Sequence, residues 1–320
     1  MTRGQLALAV LLDVLVGDPQ GWPHPARFFG AAIAAAGRAR DEQSPPRRQL
    51  VEGAILTTAL AGSAFIAGRI VERRAAPVAV VLAASSLAWR SLDDAVAAVQ
   101  RTLERGDILA ARTSLRGIVG RDVDTLDTAE TATAALETLA EGFCDGVVAP
   151  LLWLRVGGLG GALAFKAIST LDSMIGHREP PYTWFGRVAA RADDAMNLFP
   201  ARIAATAIAV SAVALGGTWS TARRAIATAW REAPRHASPN GGWPEAALAG
   251  ALGVRLGGDV TYDGVPARRA LLGEDFPPPS VADVARGRRI VALAAAIVAA
   301  AVIASAPSRA RGTNGREGNR

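Results

Sequence analysis

GAILTTALAGSAFIAGRI, residues 53 to 70, decides the fold class. One charge, Arg69, interrupts it, and Gly, Ala, Ser and Thr alternate with Ile, Leu and Phe. A long soluble helix carries a polar stripe on its outer side, and this stretch has none. Small residues among large aliphatic ones suit helices that pack closely in lipid, where a full span takes about 20 residues. The same texture returns in APVAVVLAASSLAW (76 to 89), IAATAIAVSAVALGGTW (203 to 219) and IVALAAAIVAAAVIASA (290 to 306). VVAPLLWLRVGGLGGALAF (147 to 165) is as apolar, but Pro150, Arg155 and the GGLGG run predict a broken or re-entrant segment lining a cavity.

No strand alternation of useful length and no repeat is visible, so the chain reads as all-α. The expectation is a polytopic integral membrane protein with about four to six membrane-embedded helices and polar helical loops forming the site. A single domain over residues 1 to 306 precedes a disordered basic tail, 307 to 320. MTRGQLALAVLLDVLVGDP resembles a signal peptide, but Asp13 interrupts its apolar core and no cleavage site follows, so it reads as retained.

The formal charge is +6, from 35 basic residues of which only Lys166 is lysine. No basic-aromatic pattern accompanies it, which argues against a nucleic-acid partner. Arginine at the ends of apolar helices reads as cytoplasmic-side anchoring in the cell membrane. The one cysteine, Cys144, excludes an intrachain disulfide, and with three scattered histidines it offers no zinc signature. Neither a phosphate-binding GxxxxGK[ST] loop nor a GxSxG serine elbow is present.

Between the apolar stretches lie polar blocks. GDPQGWPHPARFFG, from Gly17, predicts a rigid turn and then a helix from about Arg27. Residues 91 to 146 read as amphipathic helices broken near Gly106 and at IVGRDVDTLD, with Asp124 or Asp127 as a cap. Glu137, Glu141 and Asp145 follow at spacings of four, which stacks three carboxylates on one helix face. They are either a solvated face or ligands for magnesium and its phosphates. Asp193, Asp194 and Asn197 form a second metal-type cluster, bracketed by Arg191 and Arg202, whose guanidinium forks can grip phosphate. Lys166 follows the glycine-rich break, where an ammonium needs an anion: Asp172 or a ligand phosphate. His24, between two prolines, is a turn residue or a general base.

Taken in order, GDPQGWPHPARFFG, GRDVDTLD, DGVVAPLLW, GALAFKAISTLDSMIG, FGRVAARADDAMNLFPARI and SPNGGWPEAALAGALGVRLGG resemble the adenosylcobinamide-phosphate synthase family of cobalamin biosynthesis, over roughly residues 8 to 265. The resemblance implies an integral membrane enzyme that uses ATP and magnesium. It would join aminopropanol, or its phosphate, to a carboxylate of adenosylcobyric acid, with membrane lipid and other corrinoid-pathway enzymes as further partners. Matching polar positions are Asp18, His24, Arg27, Arg121, Asp122, Glu141, Asp145, Lys166, Asp172, Arg191, Asp193, Asp194, Asn197, Arg202, Asn240 and Glu245. Among these, Lys166, His24, Asp172 and Arg191 are taken as catalytic. Arg27, Arg121, Asp122, Arg202, Asn240 and Glu245 are taken as cofactor-binding, and Glu141, Asp145, Asp193, Asp194 and Asn197 as magnesium ligands. Gly142 and Ser169 stand where the family usually has asparagine, and GGDVTYDG also departs from its pattern. A corrinoid or small-solute carrier, or a pathway scaffold without catalysis, are the alternative functions.

Overall fold

The computed structural model describes residues 1–18, 24–177 and 179–308. Helices α1 (Arg3–Val16), α2 (Pro25–Ala39), α3 (Pro46–Arg74) and α4 (Ala76–Ala84) open the chain. Next come α5 (Trp89–Glu104), α6 (Ile108–Arg116), α7 (Thr128–Phe143) and α8 (Ala149–Ile175). Then follow α9 (Arg187–Ala214), α10 (Trp219–Glu232), α11 (Gly242–Leu252) and α12 (Val281–Ser305). Residues 19 to 23 of the block expected to form a rigid turn, and the tail from 309 onward, lie outside the described residues.

Among the described residues four helical segments are long and apolar enough to cross a membrane: Pro46–Arg74, Thr128–Ile175, Arg187–Ala214 and Val281–Ser305. The 29 residues of α3 extend about 44 Å, more than a hydrocarbon core of about 30 Å. Its inward face carries Gly53, Thr57, Ala64 and Gly68, while Ile55, Phe65, Ile66 and Ile70 point outward. That inverts the soluble pattern: small residues face protein and large apolar ones face the surroundings, as lipid demands. Leu8, Leu11 and Leu15 on α1 and Phe199, Ile203 and Val210 on α9 are exposed in the same way. The chain is an all-α polytopic membrane protein.

Two expectations need correction. The apolar stretch 76 to 89 yields only the nine-residue α4, because the turn at Ser85 and Ser86 ends it, so it is too short to span. The block after Gly257 contains a hairpin, β1 (Asp259–Tyr262) paired antiparallel with β2 (Val265–Arg268). Its central residues, Asp263 (φ 49) and Gly264 (φ 77), are both left-handed, the geometry an Asp-Gly pair favours in a two-residue hairpin turn.

The expected interruption in 147 to 165 falls at Gly158, where φ 63 and ψ −158 break α8 into two half-helices. A Cβ there would lie 2.2 Å from Glu72 Oε2. That carboxylate accepts the Leu159 N–H at 2.9 Å, so α3 supplies the anion that caps the second half-helix. The two helices meet through Gly68, whose missing Cβ would stand 2.7 Å from the Gly160 backbone. α11 is buried along its whole length, between α7, α9 and α10. α7, α8 and α9 meet at the turn Cys144–Val148, and this meeting point positions the polar residues.

Candidate active site

Asp127 starts α7 with a capping box: it accepts from the Glu130 N–H, and Glu130 accepts from the Asp127 N–H. At its other end α7 runs without a break into a π-helical turn, Cys144–Val148. Such a turn inserts an extra residue and re-aims the side chains around it, which is why these turns gather at functional sites. Glu137, Glu141 and Asp145 do form a continuous row, each within electrostatic range of the next. Their partners change along it.

Glu137 is tied into the protein. It accepts from Arg121, from Arg269 Nη1 at 3.2 Å and from the Gly257 N–H at 2.7 Å. Glu141 feels both Glu137 and the arginines 269 and 121. Asp145 lies instead among carboxylates, within range of Glu141, Asp193 and Asp172. Glu141 and Asp145 line a cavity of about 620 Å³ whose other wall includes Arg121, Arg268 and Arg269. The same three arginines border a second cavity of about 720 Å³, to which Arg235 and Arg255 add positive charge.

Lys166 projects from the second half of α8. Among the described residues no carboxylate approaches its ammonium within ion-pair distance, although Asp145 and Asp18 both lie within electrostatic range. Asp172, one of its two candidate anions, interacts with Asp194 and His177 instead. On α9, Asn197 Nδ2 donates to Asp193 Oδ2 at 3.0 Å, and Arg191 Nη1 to Asp194 Oδ2 at 3.4 Å. Asp145 thus faces the cavity and links Lys166 on one side with the Asp193 cluster on the other.

The donor set fits a hard cation. Asp193 Oδ1 and Asn197 Oδ1 are buried without a hydrogen-bond partner, and a buried oxygen left unpaired is costly unless something else occupies it. Among the described residues no three His, Cys, Asp or Glu side chains are already arranged to hold a metal, so ligand oxygens would have to complete the shell.

Four positions, His24, Asp122, Arg202 and Asn240, serve the framework. His24 Nδ1 accepts the Ala26 N–H at 3.2 Å, capping α2, and Nε2 lies 2.7 Å from the Ser85 carbonyl, to which it must donate. Both ring nitrogens are engaged, which corrects the general-base reading. Burial lowers the imidazole pKa; Asp18, 3.8 Å away, opposes that shift and Lys166 reinforces it. Asp122 spends both oxygens on the hairpin turn, accepting the N–H groups of Asp263 at 3.2 Å and Gly264 at 2.9 Å. Arg202 donates to Asn240 Oδ1 at 2.6 Å and to the Leu198 and Pro239 carbonyls, and lies 4.4 Å from the Trp243 ring centre. Asn240 Nδ2 in turn donates to the Asp194 carbonyl at 2.7 Å. Arg202 and Asn240 therefore lock α9 to the start of α11 and have their donors committed there.

Glu245 is fully buried and lines neither cavity. Burial pushes its carboxyl well above the ordinary range, Glu137 adds to the shift, and Arg269, 3.6 Å away, opposes it. Its place is behind the wall that Arg269 forms. Arg27 is exposed in the first turn of α2 and contributes positive charge near His24.

Arg268, Arg269 and His236 escaped the sequence reading. His236 Nε2 accepts from Arg269 Nη2 at 2.9 Å, and burial, then Arg269, hold its pKa below the ordinary value. The signal was available in DGVPARR, a hairpin turn followed four residues later by paired arginines. Opposite Gly142, Leu92 fills the space an asparagine side chain would need, since a Cβ there would lie 2.8 Å from Leu92 Cδ1.

A family model described as CobD/Cbib protein matches residues 6–291. The cobalamin biosynthesis protein CobD of Klebsiella pneumoniae is 36% identical over 312 residues, covering 95% of this chain and 97% of its own. The cobalamin biosynthesis protein CbiB of Salmonella typhimurium is 36% identical over 314 residues, with 95% and 98% covered. The cobalamin biosynthesis protein CobD of a Sinorhizobium species is 41% identical over 279 residues, with 83% and 86% covered. No solved structure matches the chain.

Proposed function

Because the chain belongs to the CobD/CbiB family, we propose that it serves cobalamin biosynthesis as an ATP-dependent amide synthase of the cell membrane. Its substrates are a corrinoid carboxylate, that of adenosylcobyric acid, and aminopropanol or its phosphate. The observation that carries this reading is the 620 Å³ cavity, walled by Arg121, Arg268 and Arg269 on one side and by Glu141 and Asp145 on the other. Arginines opposite carboxylates suit a phosphate chain and its cation.

The reaction has two parts. A corrinoid carboxylate oxygen attacks the γ-phosphorus of ATP, the bond to the β-phosphate oxygen breaks, and ADP leaves. The amine nitrogen then attacks the acyl carbon, the carbon–oxygen bond to phosphate breaks, and inorganic phosphate departs as the nitrogen gives up its proton. Arg268 binds and orients phosphate oxygens, and Arg121 and Arg269, ion-paired to Glu137, add positive charge behind it. Lys166, which has no direct ion pair among the described residues, stabilises the oxygens in transfer as a compact point charge. Arg191, held by Asp194, supports the same charge from α9. With His24 engaged at both nitrogens, Asp172 takes the amine proton. Asp145, Asp193 and Asn197, with Glu141 and Asp194 beside them, would hold magnesium, which supplies neutralisation of phosphate charge when bound.

The test is purified protein with ATP, magnesium, adenosylcobyric acid and either amine, scored for corrinoid product by mass. Wild type forms the amide with one ADP released per product, and Lys166→Ala lowers turnover by about a hundredfold or more, the scale of one lost electrostatic stabiliser. Absence of product, or a Lys166→Ala variant as active as wild type, overturns the proposal.

A further inference from the structure

Away from the active site, a cavity of about 270 Å³ opens where the end of α9 meets the start of α12. Arg224, Arg286 and Arg289 line it with Gly216, Gly217 and Thr221, and no acid is among its lining residues. Three guanidinium groups around one small space repel each other unless an anion joins them. Arg224 is fixed in place: Nε donates to the Gly250 carbonyl at 2.6 Å and Nη2 to that of Ala251 at 3.2 Å, with Phe276 stacked 5.6 Å away. Arg286 gives one donor to Asp283 Oδ1 at 2.8 Å. Among the described residues Arg289 has neither hydrogen bond nor ion pair.

The position of the cavity selects the kind of anion. Arg289 closes the charged start of α12, and Ile290 opens its apolar run. Leu215, at the end of the α9 span, lines the same cavity, and Val210, Leu215 and Trp219 are exposed beside it. Charge therefore gives way to lipid-facing surface at this point, with a tryptophan at the level where that side chain settles in membranes. We propose that the cavity binds the phosphate of an anionic phospholipid headgroup, whose acyl chains run down the exposed face of α9. Arg289 and Arg286 supply the free donors and Arg224 a rigid wall, as basic pockets between spanning helices do.

The experiment is native mass spectrometry of the full chain in neutral detergent, titrated with phosphatidylglycerol and with phosphatidylcholine. Wild type retains phosphatidylglycerol with a preference of about tenfold or more, the scale of a charge-assisted hydrogen bond. Arg286→Ala/Arg289→Ala loses the preference, while Arg223→Ala, which removes the same charge from the exposed side of α10, keeps it. If the double variant does not fold, Arg289→Gln alone carries the test, since that side chain has no partner among the described residues, and it lowers the preference several-fold. Equal loss in Arg223→Ala, or no loss in either cavity variant, overturns the proposal. So does displacement of the lipid by equimolar inorganic phosphate, which would make the cavity a site for free anions. The measurement uses neither ATP nor corrinoid, so its outcome is independent of the amide-synthase reading.

Discussion

Asp13 shows how one carboxyl sets a balance in an apolar helix. Its side chain accepts the Trp89 N–H at 3.2 Å, yet burial outweighs this and raises its pKa from 3.8 to about 6. A carboxyl whose folded pKa exceeds its unfolded value stabilises the fold at low pH, and that contribution is lost as pH rises from about 4 through about 6. The shift corresponds to about 3 kcal/mol lost above that window. Asp13→Asn keeps an acceptor for Trp89 without the charge, so its melting temperature in detergent should exceed wild type at pH 8 and approach it at pH 4. A gain independent of pH would refute the argument. In the sequence Asp13 was visible only as an interruption, because its acceptor role depends on a backbone 76 residues away. Asp122, Arg202 and Asn240 were misread for the same reason: a polar side chain in a special block looks alike whether it grips a ligand or a neighbouring loop.

At the level of elements, the break in α8 was legible and its support was not. GGLGG announced a kink, but the capping carboxylate comes from Glu72 on α3, far off in the chain. Gly158→Ala places a Cβ in a conformation open essentially to glycine and drives it into that carboxylate. The variant should lose about 3 kcal/mol or more of stability, read as a lowered denaturant midpoint in detergent. An unchanged midpoint would show that the half-helices re-form without the break. The π-helical turn was not legible, since spacings of four from Glu137 to Asp145 read as ordinary helix. The hairpin could have been found, because Asp-Gly between Tyr262 and Val265, both strand-favouring residues, is a turn signal that the surrounding irregularity obscured. With it went Arg268 and Arg269, two of the three arginines in the cavity wall.

For the molecule as a whole, the all-α membrane class followed from composition and texture, because lipid removes the polar stripe from every exposed helix. Which apolar stretches reach across did not follow, since 76 to 89 and 53 to 70 have the same texture and only chain geometry separates α4 from α3. Cysteines placed singly by Ile55→Cys, Ile66→Cys, Phe199→Cys and Val210→Cys in a Cys144→Ala background should react with a lipid-soluble maleimide and resist a charged one. Labelling of all four by the charged reagent would remove α3 and α9 from the bilayer. The acid and arginine walls of the cavity come from α7 and its π-helical turn, from the segment after α6 that carries Arg121, and from the hairpin with Arg269 just after it, so the site exists only once distant segments assemble. The Glu72 cap bears on how that assembly proceeds. The bare amides of a half-helix are poorly tolerated in hydrocarbon, and here the chain translates their anion some 87 residues before them. Synthesis from the ribosome therefore delivers the counter-charge ahead of the dipole it serves, and the inserting chain can complete this joint in the order in which it emerges.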